Sequence, residues 1–259
     1  MLIFKHKPRT GGTRWRKSSM FVISWNALFQ KFLLKKKKKA GRIHGGLISV
    51  RHKKSVKNSA AFLCTQNTFT KKSVGLVMSL FLLQKAKRYV ALVKFCDGSY
   101  FVINATNSAF VGSYFLYNSL EREHELRQCL RCVSLSVLNH FMIVSFLVGP
   151  AKKQAQYCMS SGCYGQLLLS FAEKKISLVV LPSGQRKYLP SDTMCLIGRA
   201  SNHEKKFEVL GKAGLSFLSG SRPTVRGNAM NPIDHPHGGR TKSKQPEVSP
   251  WGWVAKKGK

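Results

Sequence analysis

The sequence predicts a mainly β protein in which small barrels lie between two long basic extensions. Apolar runs of strand length, rich in β-branched and aromatic residues, alternate with turn residues through the middle of the 259-residue chain. No long amphipathic helical pattern interrupts them, so Rossmann-type folds and helix bundles fit poorly. Both ends differ from the middle because they are dense in Lys, Arg and residues that break regular structure.

Residues 1–58 are interpreted as a basic N-terminal extension. Gly11-Gly12, the run Lys35–Lys39 and the glycines between Gly41 and Gly46 break regular structure. No acidic residue precedes Asp97, whereas 23 Lys or Arg fall in residues 1–96. Such a segment is expected to gain its order against phosphate groups.

Residues 59–125 are predicted to form the first β module. The apolar run Val74–Leu83 is interpreted as a buried strand, since it is too short to span a bilayer. Two β-rich runs on either side of Asp97-Gly98 predict a hairpin over residues 88–103. The acidic cluster Glu121–Glu125 is interpreted as a solvated linker, with a short helix as the alternative.

Residues 126–205 are predicted to form the second β module. Its apolar run Val133–Gly149 approaches the length of a membrane span but contains Asn139 and His140, so it is interpreted as buried strand. Further strand runs are Tyr164–Ser170, Ile176–Leu181 and Arg186–Leu189. The turn Pro182–Gln185 separates the last two of these runs. Short strands and turns at this spacing are typical of small barrels.

Residues 206–259 are interpreted as a basic C-terminal extension that folds on a partner. Five of the nine prolines and ten Lys or Arg, against three acids, occur here. The net charge of +34 favours a polyanionic partner, because counterion release from phosphates contributes a large favourable term. Nucleic acid is therefore favoured over an anionic membrane surface or acidic proteins.

The seven cysteines form no disulfide framework and are typical of a reducing compartment. Cys129 and Cys132 have the spacing of metal ligands, and Cys158 with Cys163 is a weaker second pair. A zinc site and buried structural thiols remain alternative interpretations of the first pair.

One stretch, Arg222–Gly239, resembles the signature of the ribosomal protein L-two family, in its bacterial or organellar form. Further similarity lies in Val209–Gly214, Ser249–Gly252, Leu181–Gly184, Ala91–Val93, Asp97-Gly98, Gly41-Arg42, Ile48–His52, Lys7-Pro8 and Arg14. The resemblance implies an OB-like barrel followed by an SH3-like barrel. It also implies binding to large-subunit rRNA, neighbouring ribosomal proteins, an intersubunit contact and support of the peptidyl-transferase region, with no membrane association and no catalysis by the protein.

The residues suggest their own contacts with RNA. Arginine forks suit phosphates and guanine edges, prolines stiffen an extended path, and glycines let backbone N–H groups approach an RNA backbone. The predicted RNA-binding residues are Arg42, His44, Arg51, His52, Lys53, Lys54, Lys152, Lys153, Lys212, Arg222, Arg226, Asn231, His235, His237, Gly238, Gly239, Arg240 and Trp251. Trp251 and Trp253 either stack on bases or anchor the extension to protein.

The resemblance implies a role for His235, and the same residue also enters an alternative hypothesis of function. By resemblance, His235 is an RNA-contacting residue that supports assembly. The alternative function is a metal-dependent RNA-processing enzyme that uses Asp234, His235 and His237; a membrane-surface protein is a third hypothesis. No protein-bound cofactor is expected, and any Mg²⁺ would be structural and held by rRNA.

The chain departs from the family where glycines are expected. Lys53–Val56 and Gly149–Gln154 replace glycine-rich runs, and Arg240–Lys242 lacks the expected glycine and acid. These losses indicate an organellar version. Since the similarity begins near Lys7, the sequence predicts no cleavable presequence and synthesis inside an organelle, a mitochondrion in the first place and a plastid as the alternative.

Overall fold

The computed structural model describes residues 3–19, 32–35, 40–43, 45–53, 60–62, 73–83, 86–117, 129–152, 154–239 and 246–255. The chain divides into two compact units. The first unit comprises Met1–Lys37 and Lys57–Lys212, and the second unit comprises Lys38–Val56 and Ala213–Lys259. The domain boundaries expected at residues 58, 125 and 205 stay predictions.

The first unit is built on a single ten-stranded sheet. Its strands are β5 (Ser73–Leu83), β6 (Arg88–Phe95), β7 (Tyr100–Asn104), β8 (Tyr114–Tyr117), β9 (Leu130–Ser134), β10 (Ile143–Val148), β11 (Gly165–Phe171), β12 (Ile176–Val180), β13 (Arg186–Pro190) and β14 (Met194–Ile197). They lie in the order β13-β12-β11-β10-β14-β9-β8-β5-β6-β7. The expected mainly β class is confirmed.

Two short strand pairs accompany the large sheet. β1 (Ile3–Lys5) pairs with β2 (Lys17–Ser19) around helix α1 (Gly11–Arg14), and β3 (Leu33–Lys35) pairs with β4 (Ala60–Phe62). Lys17 also forms an isolated antiparallel bridge with Val209. The N-terminal extension thus carries regular structure that the sequence did not predict.

The hairpin predicted around Asp97-Gly98 is confirmed. β6 and β7 pair in antiparallel register, with Lys94 opposite Tyr100. An Asp97 carboxylate oxygen accepts hydrogen bonds from the hydroxyl (2.6 Å) and backbone N–H (3.0 Å) of Ser99, and these bonds lower the pKa of Asp97. Gly98 takes the left-handed conformation (φ +80°) that the turn requires.

Both long apolar runs differ from the uniformly buried strands predicted. In β5, Val74, Leu76 and Met78 are exposed while the residues between them are buried, so the first half of this strand has one open face. Residues 133–149 do not form one strand. They span the end of β9, a 3-10 turn at Leu135–Val137 and β10, and the polar residues Asn139 and His140 lie exposed at the break.

Buried side chains form two main clusters in the first unit. One contains Phe115, Leu130, Phe146 and Leu196 and joins strands from both halves of the sheet. The other contains Leu135, Val144, Leu147, Leu167 and Cys195. Each such side chain contributes about 1.5–3 kcal/mol on burial, so these clusters hold the fold.

The parallel pairing of β8 with β9 joins the half of the sheet built from β5–β8 to the half built from β9–β14. The chain between these strands includes the acidic cluster Glu121–Glu125, which lies outside the described residues. In the part of the chain that the structure describes, no helix has the length and apolar character needed to cross a membrane.

Candidate nucleic-acid interface

The described residues of the second unit form almost no core. Among its described residues only Gly220 and His235 are buried, although helix α2 (Ala213–Leu218) and several turns give it regular structure. Its two segments carry 14 Lys or Arg against two acids. A segment of this composition gains little from apolar burial and repels itself, so it favours an anionic partner.

The N-terminal segment of this unit forms a hairpin-like loop. Arg42 bridges to Ile48, and the backbone N–H groups of Ser49 and Val50 both donate to the Gly41 carbonyl at 3.0 Å. Gly41 has φ +80°, and a Cβ there would collide with the Val50 carbonyl oxygen. The tight closure of the loop therefore requires glycine at residue 41.

The end of this loop pairs with the C-terminal segment. Lys53 forms an antiparallel bridge with Ser221, and the N–H of Arg222 donates to the His52 carbonyl at 3.1 Å. The guanidinium of Arg222 lies 5.5 Å from the centre of the Phe217 ring in α2. Three predicted RNA-binding residues, His52, Lys53 and Arg222, are thus brought together by backbone pairing.

A concavity of about 320 Å³ opens on this loop. Arg42, Arg51, His52 and Lys53 line it together with Ile48 and Val50, and all six residues are exposed. The lining residues include Arg42, Arg51 and Lys53 and no acid, and such a composition suits a phosphate group.

The stretch Arg222–Gly239 is called the signature loop below. His235 is its one buried residue, with 8% of its surface exposed. The backbone N–H groups of Asp234 and His235 donate to the Asn231 carbonyl, at 3.0 and 3.2 Å, and that of Gly238 donates to the His235 carbonyl at 2.8 Å. The Nδ1 atom of His235 accepts the His237 N–H at 3.0 Å. This bond places the proton of a neutral imidazole on Nε2.

Gly227 lies against the His235 ring. A Cβ at residue 227 would be 2.7 Å from ring atoms Cε1 and Nδ1. Any side chain there would displace the imidazole, so the glycine and the histidine form one packing unit.

The imidazole of His237 joins the loop to the chain that follows. Its Nε2 lies 2.9 Å from the Pro246 carbonyl oxygen and 3.4 Å from the N–H of Val248. Both histidines therefore bond to backbone atoms, and among the described residues no three His, Cys, Asp or Glu side chains are grouped to hold a metal. The alternative of a metal-dependent enzyme built on Asp234, His235 and His237 gains no support.

Gly238 and Gly239 pack on their own loop. A Cβ at Gly238 would collide with the Asn231 carbonyl, and one at Gly239 (φ +89°) would lie 2.6 Å from Cγ of Pro232. The sequence predicts that these glycines bring N–H groups to an RNA backbone. The Gly238 N–H is instead donated within the chain, so close packing explains that glycine; its contact with RNA stays a prediction.

A small hairpin carries the last predicted residue, Trp251. Val248 bridges to Val254, and the N–H of Ser249 donates to the Trp253 carbonyl at 2.7 Å. The guanidinium of Arg51 lies 3.9 Å from the centre of the Trp251 ring. This cation–π contact ties the early arginine to the late tryptophan.

The remaining predicted residues are scattered. Lys152 and Lys212 are exposed in the first unit, and Arg226 and Asn231 are exposed in the second. Four predicted residues lie outside the described part of the chain: His44, Lys54, Lys153 and Arg240. Contacts of all these residues with RNA stay predictions.

One exposed residue was missed by sequence reasoning. Ile233, in the signature loop between Pro232 and Asp234, is 93% exposed. An isoleucine in a polar, proline-rich loop was the available signal, because such a loop offers no core to receive it.

Three cysteines of the first unit are buried. Cys132 and Cys195 are buried, and burial raises the pKa of both thiols. Burial, with a smaller contribution from Cys163, raises the pKa of Cys158 to about 11. These three thiols pack among apolar side chains of the two clusters. The zinc site at Cys129 and Cys132 stays an alternative prediction.

Comparison with known proteins gives a consistent result. A family model described as Ribosomal Proteins L2, C-terminal domain, matches residues 131–252. The large ribosomal subunit protein uL2 of Dichelobacter nodosus is 31% identical over 261 residues, covering 99% of this chain and 92% of the relative. The uL2 of Legionella pneumophila strain Corby is 31% identical over 260 residues, with the same coverage. The large ribosomal subunit protein uL2m of Paramecium tetraurelia is 34% identical over 185 residues, covering 68% of this chain and 71% of the relative.

Proposed function

Because this chain belongs to the uL2 family of large ribosomal subunit proteins, we propose that it is a structural constituent of the large ribosomal subunit that binds large-subunit rRNA. The first unit serves as a rigid β scaffold, and the second unit supplies the principal RNA-binding surface. No chemical step is assigned to the protein; peptide-bond formation belongs to the rRNA.

The main structural support for this proposal is the near absence of a core among the described residues of the second unit. A cationic segment with two buried residues among those described obtains little free energy from its own packing. Each phosphate contact releases counterions and offsets the cost of ordering the segment. RNA therefore completes this unit in the way that a hydrophobic core completes an ordinary domain.

Different residues have different roles in RNA binding. The cations around the concavity, Arg42, Arg51 and Lys53, contact phosphates and set the register of the protein on the RNA. His235 orders the signature loop from inside, through its bond to His237 and its packing on Gly227. In this account His235 acts as a positioning residue that keeps neighbouring side chains available to RNA.

Further proposals concern the partners of the protein and its location in the cell. We propose that the chain contacts neighbouring ribosomal proteins and the small subunit, and that its signature loop supports the peptidyl-transferase region. We also propose a mitochondrial ribosome as its location, with synthesis inside the organelle and a plastid as the alternative. Similarity to the uL2m protein of Paramecium tetraurelia supports the organellar assignment.

Sedimentation through sucrose gradients tests the proposal. The protein is expected to sediment with large-subunit particles of the organelle at low salt and to remain largely bound at moderate salt. Sedimentation as free protein under both conditions, with intact subunits elsewhere in the gradient, would refute the ribosomal role. Continued synthesis when cytosolic ribosomes are inhibited would support organellar synthesis, and loss of synthesis would contradict it.

A further inference from the structure

Arg51 and Trp251 form an exposed aromatic–cationic pair in the second unit. The guanidinium lies 3.9 Å from the ring centre, so it covers one face of the indole. Trp251 nevertheless remains 60% exposed, so much of the indole is accessible to a flat ligand. A large aromatic side chain this exposed gains little stability for the free protein and suits a surface that is covered on binding.

Arg51 also lines the concavity of about 320 Å³. The stacking surface and the cationic concavity therefore adjoin through one side chain. The cations Arg42 and Lys53 suit a phosphate, and the exposed apolar side chains of Ile48 and Val50 suit a sugar ring.

We propose that this pair and the concavity form a binding site for one unpaired nucleotide of RNA. The base stacks on the exposed indole of Trp251, and its phosphate is held by Arg42, Arg51 and Lys53. The inference rests on the proposed function, since it specifies the part of an RNA that this unit recognises.

An unpaired nucleotide fits the surface better than a duplex does. In A-form RNA the bases are stacked on each other, so their faces cannot reach an indole, whereas loops and bulges expose them. An acidic peptide would satisfy the cations but would leave the indole without a stacking partner. The combination of indole and cations therefore favours a nucleotide.

Binding of two short RNAs to the full-length protein tests the site. One RNA is pentaadenylate, and the other is the same ribose–phosphate pentamer without bases, so both carry equal charge. Fluorescence anisotropy measures the affinity of the wild-type protein and of Trp251→Ala, Trp251→Phe and Trp15→Ala. Trp15 is the matched control, because it is 70% exposed and lies in the first unit.

The wild-type protein is expected to bind pentaadenylate about tenfold more tightly than the abasic pentamer, the scale of one stacked base. Trp251→Ala should abolish this preference while keeping its affinity for the abasic pentamer. Trp251→Phe should keep part of the preference, and Trp15→Ala should keep all of it. Penta-aspartate is expected to compete poorly with pentaadenylate.

Several results would overturn the site. Equal affinity of the wild-type protein for both pentamers would contradict the nucleotide site but would be compatible with general RNA binding. If Trp251→Ala lowered the affinity for both pentamers equally, the tryptophan would serve only to anchor its hairpin to Arg51. Equal loss of preference in Trp15→Ala, or strong competition by penta-aspartate, would also contradict it. Failure of every variant and of the wild type to bind RNA would instead refute the proposed function.

Discussion

Gly227 packs directly on the imidazole of His235, so that a Cβ at residue 227 would lie 2.7 Å from Nδ1 and Cε1 of the ring. The same Nδ1 accepts the N–H of His237 at 3.0 Å. The two contacts make His235 the internal support of the signature loop. The order of this loop therefore depends on a glycine eight positions earlier in the chain.

The first prediction concerns that packing. Gly227→Ala is expected to displace the His235 ring, break its bond to His237 and lower incorporation of the protein into large subunits severalfold. Quantification of the variant in sucrose-gradient fractions measures this. Gly214→Ala is the control, because Gly214 lies in α2 and a Cβ there meets no atom within 4 Å. Equal incorporation of the two variants would show that the packing is unimportant.

A second prediction concerns the arginine beside α2. Arg222→Ala is expected to reduce the slope of log affinity for rRNA against log salt by about one, because one phosphate contact is lost. Titrations with labelled rRNA fragments at several salt concentrations give the slope. Arg186→Ala, on the edge strand β13 of the first unit, is the comparison. An unchanged slope for Arg222→Ala would show that this residue does not contact a phosphate.

Stability should depend on the cores of the first unit. Phe115 is 1% exposed and packs in the larger cluster, so Phe115→Ala should lower the free energy of unfolding by about 3–5 kcal/mol. Phe141→Ala should change it little, since Phe141 is 65% exposed. Urea unfolding followed by circular dichroism distinguishes the two. A small effect at Phe115 would mean that the core is not packed as described.

Alkaline pH should destabilise the first unit. Burial, assisted by Glu208 and Glu204, raises the pKa of Tyr89 to about 12, and burial with a smaller effect of Cys132 raises that of Tyr117 to about 12. Burial also raises the pKa of Cys158 to about 11. These groups lose protons at lower pH in the unfolded chain, so their stabilising contribution is complete below about pH 9 and disappears as pH rises through 11 to 12.

Midpoints of urea unfolding at pH 8 and pH 11 test the predicted loss of stability at alkaline pH. Tyr89→Phe should reduce the difference between the two midpoints, whereas Tyr188→Phe should not, because Tyr188 is 66% exposed. Identical midpoints for the wild-type protein at both values would contradict the raised pKa values.

Local signals made much of the sheet predictable. The β6–β7 hairpin depends on Asp97, Gly98 and Ser99, which lie within the turn itself. The parallel pairing of β8 with β9 depends on side chains distributed over both halves of the sheet, and no short window of sequence contains that information. The open face of β5 was missed because every residue at its exposed positions is apolar.

The site divides in the same way. The signature stretch identified the loop that contains His235, and composition indicated its cationic surroundings. Neither could show that Arg51 lies over Trp251, since the two residues are far apart in the chain and meet only through the fold of the second unit. Ile233 was overlooked because a single apolar residue in a polar loop has no periodicity to draw attention to it.

The bridge between Lys53 and Ser221 has a consequence for biosynthesis. Lys53 emerges from the translating ribosome long before Ser221 is made, whereas the hairpins of the large sheet close between neighbouring segments. The sheet is therefore expected to form first on the nascent polypeptide, and the bridge to close only near termination. Until then the exposed cationic loop is open to premature capture by any nearby transcript, which makes timely delivery to an assembling particle a requirement of its maturation.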